Sequence, residues 1–302
     1  MQWPYQPFHD WPAPYRAAVC FTWDVDDEAP FYSRTRRPLD VSEVEQRHYG
    51  MRRALPMVVD LLQNHNIPGA FYVPAYIARR WSSTIADLDR AGFEIGAHGY
   101  LHEAVGGMSR EEEVAIVDAS HHVLAEICGH SIDGYRTPSW QCNPWTIDLL
   151  HQAGFLYDSS LMGDIAPYRV ETANGASLLE VPIHWYWDDV EYWGHTQATR
   201  DRAISSPSAV LEMWKAEMDA VVEAGGCFVL TLHPHVSGRP GLLTVVAELM
   251  SYARTLDNVW LTTPGNIAHH VVHSQSPVPQ VAAPAGVADR RWSQGGGQPD
   301  GL

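Results

Sequence analysis

Lysine is almost missing from the chain: Lys215 is the only one in 302 residues. A Schiff-base mechanism therefore has a single candidate, and it sits in a polar helical pattern. Basic residues number 20 against 36 acidic ones, a formal charge of −16 with His neutral. Such a chain repels nucleic acid and anionic membrane, and it shows no basic groove, so neither is expected as a partner. Cysteine is scarce: Cys20, Cys128, Cys142 and Cys227 form no CxxC pair. They read as reduced residues, two of them in apolar runs, and not as a disulfide framework. No apolar run reaches the length of a membrane span. Met1 to Asp10 has neither a basic nor an apolar signal region, so the expected location is the cytoplasm. A glycine-rich phosphate cradle is also missing, which argues against a sugar-phosphate isomerase or lyase.

The chain is 45% hydrophobic, with 23 glycines and 21 prolines. Apolar runs such as Ala17–Asp26, Gly69–Val73, Phe93–Ala97, Gly134–Thr137, Phe155–Asp158, Leu178–Ile183, Cys227–Leu232 and Val259–Thr262 read as buried strands. Helical patterns separate most of them. Ser109 with Glu112 forms a capping box ahead of a helix that Gly129 stops. About eight strands alternating with helices predict an α/β fold: a distorted (β/α) barrel of seven to eight mostly parallel strands in one domain. The division expected is an irregular segment over 1–16, the barrel over 17–273 and a disordered tail over 274–302, where Pro, Gly, Ala, Gln and Ser dominate. Residues 160–207 read as an inserted loop region over one face.

In a parallel barrel, chemistry gathers where the strands end. Asp24 and Asp26 close the first run, with Asp27 and Glu28 beyond. His98 and then His102 close the third, Arg136-Thr137-Pro138 the fourth and Asp158 the fifth. His184, Trp185, Trp187 and Asp188 follow the sixth, and His233-Pro234-His235 the seventh. Two histidines four apart share one side of a helical turn, within reach of one cation. Two imidazoles and a carboxylate leave zinc an open position, with Asp26 or Asp27 as the carboxylate. The partner in the Asp24/Asp26 pair stays free as a base, held ionised by Arg136. His233 would protonate a leaving nitrogen, its ring oriented by a carboxylate such as Asp158. Trp140, Tyr168, Trp185, Trp187 and Trp193 are candidates to stack on a sugar or a flat ring.

The order of these motifs resembles the metal-dependent polysaccharide deacetylases (carbohydrate esterase family four, the nodulation-type deacetylase homology). The motifs stand as Thr22-Trp23-Asp24-Val25-Asp26, His98-Gly99-Tyr100-Leu101-His102, Arg136-Thr137-Pro138, Tyr157-Asp158-Ser159-Ser160-Leu161 and Leu230-Thr231-Leu232-His233-Pro234, spanning about 17–267. The resemblance implies Asp24 as catalytic base, His233 as acid, Arg136 and Asp158 as their supports, and Asp26, His98 and His102 as ligands of a divalent metal, usually Zn2+. The Asp158 region, with Met162-Gly163-Asp164-Ile165-Ala166-Pro167-Tyr168, and the stretch His233-Pro234-His235-Val236-Ser237-Gly238-Arg239-Pro240 are similar to a subgroup of intracellular peptidoglycan-deacetylase-like proteins, cyclic imide hydrolases and allantoinase-like proteins. The activity implied is metal-dependent hydrolysis of an amide C–N bond that deacetylates an N-acetylated sugar. The alternatives are hydrolysis of small cyclic imides or ureides, or a catalytically silent glycan-binding member. The expected partners are a small-molecule or glycan substrate and further copies of the chain, as a dimer or tetramer.

Overall fold

The computed structural model describes residues 8, 10–33, 40–172, 175–196, 199 and 201–282. The sheet is built around β1 (Ala17–Asp24), whose eight residues are all buried. A strand covered on both faces needs such an unbroken apolar run. Along one edge β1 pairs in parallel with β8 (Cys227–Leu232), from Ala18 to Trp23. The other edge is shared: β9 (Val259–Thr262) takes Ala17 to Cys20, and β2 (Gly69–Val73) takes Phe21 to Asp24.

From β2 the sheet continues through β3 (Glu94–Ala97), β4 (Gly134–Tyr135) and β5 (Tyr157–Asp158). All of these pairings are parallel. Next come β6 (Tyr168–Glu171) and β7 (Ser177–Glu180); β7 pairs with β5 in parallel and β6 joins β7 as an antiparallel hairpin. No strand pair closes the ring among the described residues. Its two sides meet at Asp188, bridged to Thr231 of β8, which gives a distorted barrel.

The barrel interior is filled by aromatic rings, and two glycines make room for them. A side chain at Gly96 would strike the Tyr72 ring at 2.5 Å, and one at Gly134 would strike Tyr157 at 2.2 Å. The Tyr72 and Tyr157 hydroxyls meet at 2.8 Å. The Arg136 guanidinium lies 4.0 Å over the Tyr72 ring, so the packed interior forms the floor of whatever sits at the strand ends.

Several expectations need correction. β1 ends at Asp24, so Asp26 stands in the loop beyond it. The helical stretch between β1 and β2 is not one regular helix: it runs through helix Val41–Tyr49, a π-helical turn Gly50–Ala54 and helix Leu55–His65, with Pro56 in the last one's first turn. Residues 160–207 contain the β6–β7 hairpin and the short helix Val190–Trp193. Within the stretch read as a disordered tail, Gln280–Ala282 forms β10, which pairs in parallel with β6. The rest of that stretch, 283–302, lies outside the described residues. Apart from these corrections, Trp11 of the N-terminal segment is buried and its Nε1 donates to Gly225 O at 2.9 Å.

Candidate active site

His98 and His102 come together, but not on a helix. Gly99 (φ 68°) and His102 (φ 54°) are both left-handed, and a loop carries the two rings. Glu103 holds it by accepting from the amides of Tyr100 (3.0 Å) and Leu101 (2.8 Å). The ring centroids end 5.0 Å apart. His98 Nδ1 lies 2.7 Å from the Arg136 carbonyl oxygen. A carbonyl only accepts, so Nδ1 donates, and in the neutral ring Nε2 is left as a lone pair. That lone pair faces Asp26 Oδ1 at 3.5 Å and Asp24 Oδ2 at 3.7 Å.

His102 Nε2 lies 3.5 Å from Asp26 Oδ2. Ligating atoms of Asp26, His98 and His102 all fall within 4.8 Å of one another, and all three residues are buried. Among the described residues Asp26 Oδ1 accepts no hydrogen bond. Burial alone would favour a neutral Asp26. His102, then His98 and His233, overcome it and hold the carboxyl well below its usual range. His98 Nε2 and the unpartnered Asp26 Oδ1 are two acceptors facing each other, and with His102 beside them the donor set suits a cation. Asp27 is placed differently. Its backbone turns left-handed (φ 42°), and its carboxylate groups with Glu28 and His48. Burial and then Glu28 push it up to about 8.

Arg136 is fully buried and donates from Nη1 to Asp24 Oδ1 at 2.8 Å and to Thr22 Oγ1 at 2.9 Å. Its Nε and Nη2 are used on Ser159 O and Ser159 Oγ. The guanidinium thus has a single carboxylate and fixed neutral partners, which locks Asp24 in place.

His233 is paired with Asp189, not with Asp158. His233 Nδ1 lies 2.7 Å from Asp189 Oδ1, and Asp189 Oδ2 accepts from the His233 amide at 2.9 Å and from the Ser237 hydroxyl. His233 Nε2 points to Asp26 Oδ2 at 3.8 Å. Burial alone would lower the imidazole; Asp189, then Asp188 and Asp26, push it up to about 10. Asp158 is spent elsewhere. It accepts from Ser160 Oγ at 2.7 Å and sits against Glu180, and burial pushes it up to about 6. The physical reason is the ring's closure: the bridge at Asp188 brings the next residue beside the end of β8. The adjacent pair Asp188-Asp189 was the only sequence signal for it.

These groups face a cavity of about 360 Å³. Helix Val41–Tyr49 contributes Glu43, Gln46 and Arg47 to its wall, and the segment after Asp188 supplies Val190, Glu191, Gly194, His195, Thr196, Thr199 and Arg202. Arg47, which nothing in the sequence singled out, stands 3.5 Å from Asp26 Oδ2. His235 also lines the wall, and burial holds its ring neutral, with a pKa well below the usual value. Of the expected substrate-facing aromatics, Trp140 and Trp185 line the cavity and pack at 4.3 Å between centroids. Ser139 and Trp140 are both left-handed (φ 53° and 54°), a strained turn that aims the Trp140 indole. Tyr168 and Trp187 do not reach the cavity. Tyr168 is buried with its hydroxyl accepting from the Gly163 amide at 3.1 Å. Trp187 packs on Phe228 at 5.0 Å and donates to Glu217 at 3.2 Å.

The family described as polysaccharide deacetylase matches residues 48–157. A solved structure from Mycobacterium smegmatis, itself a candidate polysaccharide deacetylase, is 34% identical, covers 93% of this chain and 98% of its own, and superposes with a TM-score of 0.84. The chain belongs to the polysaccharide deacetylase family. It is therefore a hydrolase of the polysaccharide-deacetylase type. A peptidoglycan deacetylase from Helicobacter pylori is 27% identical over 271 residues, 81% of this chain and 92% of its own length. The structure of Puue allantoinase shares the fold at 21% identity, with a TM-score of 0.79 over 92% of this chain and all of that one. No helix among the described residues is long and apolar enough to cross a membrane.

Proposed function

We propose that this polysaccharide deacetylase family member is a metal-dependent amidohydrolase that removes the acetyl group from an N-acetylated sugar. The observation that carries the reading is the convergence of Asp26, His98 and His102 beside an Arg136-held Asp24 and an Asp189-held His233. Asp26, His98 and His102 would hold the cation, with Zn2+ the best match to two imidazoles and a carboxylate. Bound there, it supplies Lewis acidity to a water and to the acyl oxygen.

The chain's own residues do the proton work. Arg136 occupies Asp24 Oδ1, which leaves Oδ2 to take the proton from the attacking water as the new C–O bond forms. His233 Nε2 donates its proton to the leaving nitrogen as the C–N bond breaks. Asp189 keeps Nδ1 protonated and supports the imidazolium until then. Acetate and a free amine leave, and the proton on Asp24 returns to solvent as His233 regains one. The four free thiols fit a reducing compartment and hence the cytoplasm.

A second reading has its own support. A cavity of about 360 Å³ is at the small end for ligand sites and suits one ring. With Trp140 and Trp185 on its wall, it would also accept a flat cyclic imide or ureide, opened by the same proton transfers. The two readings are separated by offering zinc-loaded protein chitotriose and succinimide. Acetate release without ring opening is the expected result. Ring opening without acetate would move the assignment to the imide, and no turnover of either would contradict both.

A further inference from the structure

A second cluster of metal-binding character lies outside the catalytic cavity. Helix Arg110–Cys128 ends at Cys128; Gly129 (φ 78°) turns the chain, and His130 follows at once. Asp89, near the end of helix Ser82–Arg90, packs beside them. Ligating atoms of Asp89, Cys128 and His130 all lie within 4.8 Å of one another. His130 Nδ1 is 2.9 Å from the Ser131 carbonyl oxygen, so it donates there. In the neutral ring Nε2 is then a lone pair, yet it stands 2.9 Å from Asp89 Oδ1. Two acceptors at that distance need a positive particle between them, either a proton or a cation. The same signature marks His98 in the catalytic group, where Nδ1 meets a carbonyl and Nε2 a carboxylate.

The geometry points to a second metal site in which Asp89, Cys128 and His130 bind a zinc-class cation, with solvent as fourth ligand. One thiolate, one imidazole and one carboxylate are a donor set for Zn2+ and not for the hard cations that prefer oxygen. Burial, then Asp89, push the Cys128 thiol up to about 12, so it stays protonated until a cation displaces that proton. A neighbouring surface pocket of about 310 Å³, lined by Asp89, His130, Ser131, Glu94 and Asp133, gives the ion a way in. Once bound, the ion would tie the end of one helix to its neighbour.

Cobalt(II) tells this site from the catalytic one, because the group Asp26, His98 and His102 contains no thiol. The test is the near-ultraviolet thiolate-to-cobalt charge-transfer band of the cobalt-loaded full chain, with bound cobalt counted by mass spectrometry. The band is expected in the unaltered protein and in His98→Ala, and it should vanish in Cys128→Ser. His130→Ala, a substitution at an exposed position, should weaken the band and lower bound cobalt from about two equivalents to about one. Absence of the band in cobalt-saturated protein, or its survival in Cys128→Ser, would overturn the assignment. Neither result bears on the catalytic reading.

Discussion

Replacing Asp24 by Asn is expected to lower kcat by about 10²–10⁴-fold, the usual contribution of a general base. The same variant should keep its full complement of cation. Asp24 stands outside the group formed by Asp26, His98 and His102, and only its Oδ2 faces His98, at 3.7 Å. Asn is the informative substitution because its carbonyl oxygen still accepts from Arg136 Nη1. Removing the partner of a fully buried guanidinium would cost about 3–5 kcal/mol and confuse lost chemistry with lost fold. The measurement is kcat and metal content side by side. Activity within about threefold of the unaltered protein would be too small a loss for a base and would reassign that role.

Asp189→Asn should lower kcat by about 10²-fold with KM nearly unchanged, whereas Asp158→Asn should leave kcat within a few-fold. Asp189 Oδ2 accepts from the His233 amide and from Ser237. A backbone N–H cannot be reversed, so the new amide group must turn its NH2 toward His233 Nδ1. That forces the wrong tautomer on the ring and withdraws the charge that supports the imidazolium. A merely structural effect would change the melting temperature and the protein's soluble yield, but it would not split kcat from KM. If Asp158→Asn proved the more damaging of the two, the pairing seen here would not be the one that operates in turnover.

The fold was legible because parallel strands buried on both faces must be continuous apolar runs, and β1, β2 and β8 are such runs. What escaped notice was paired by distant backbone. β10 is three exposed residues whose only reason to be a strand is the edge of β6. At the site, spacing in the chain placed His98, His102, Asp24, Asp26 and Arg136 at strand ends, and the structure brings them together. Spacing misled where conformation was involved. HxxxH suggests a helix, but Gly99 and a left-handed His102 make it a loop. Asp189 and Arg47 were hidden for another reason. One arrives through the irregular closure of the ring and the other from a helix laid over it, and neither path leaves a periodic trace in the sequence. Tyr168 and Trp187 were aromatic and close in sequence to the motifs, but their rings were needed for packing.

Anomalous diffraction from crystals of the zinc-loaded protein gives the most direct reading of the cation's place. The account predicts a zinc peak about 2.0–2.2 Å from His98 Nε2, His102 Nε2 and one Asp26 oxygen. Active protein with no peak between these three would contradict it, whereas an additional peak at Asp89, Cys128 and His130 would not.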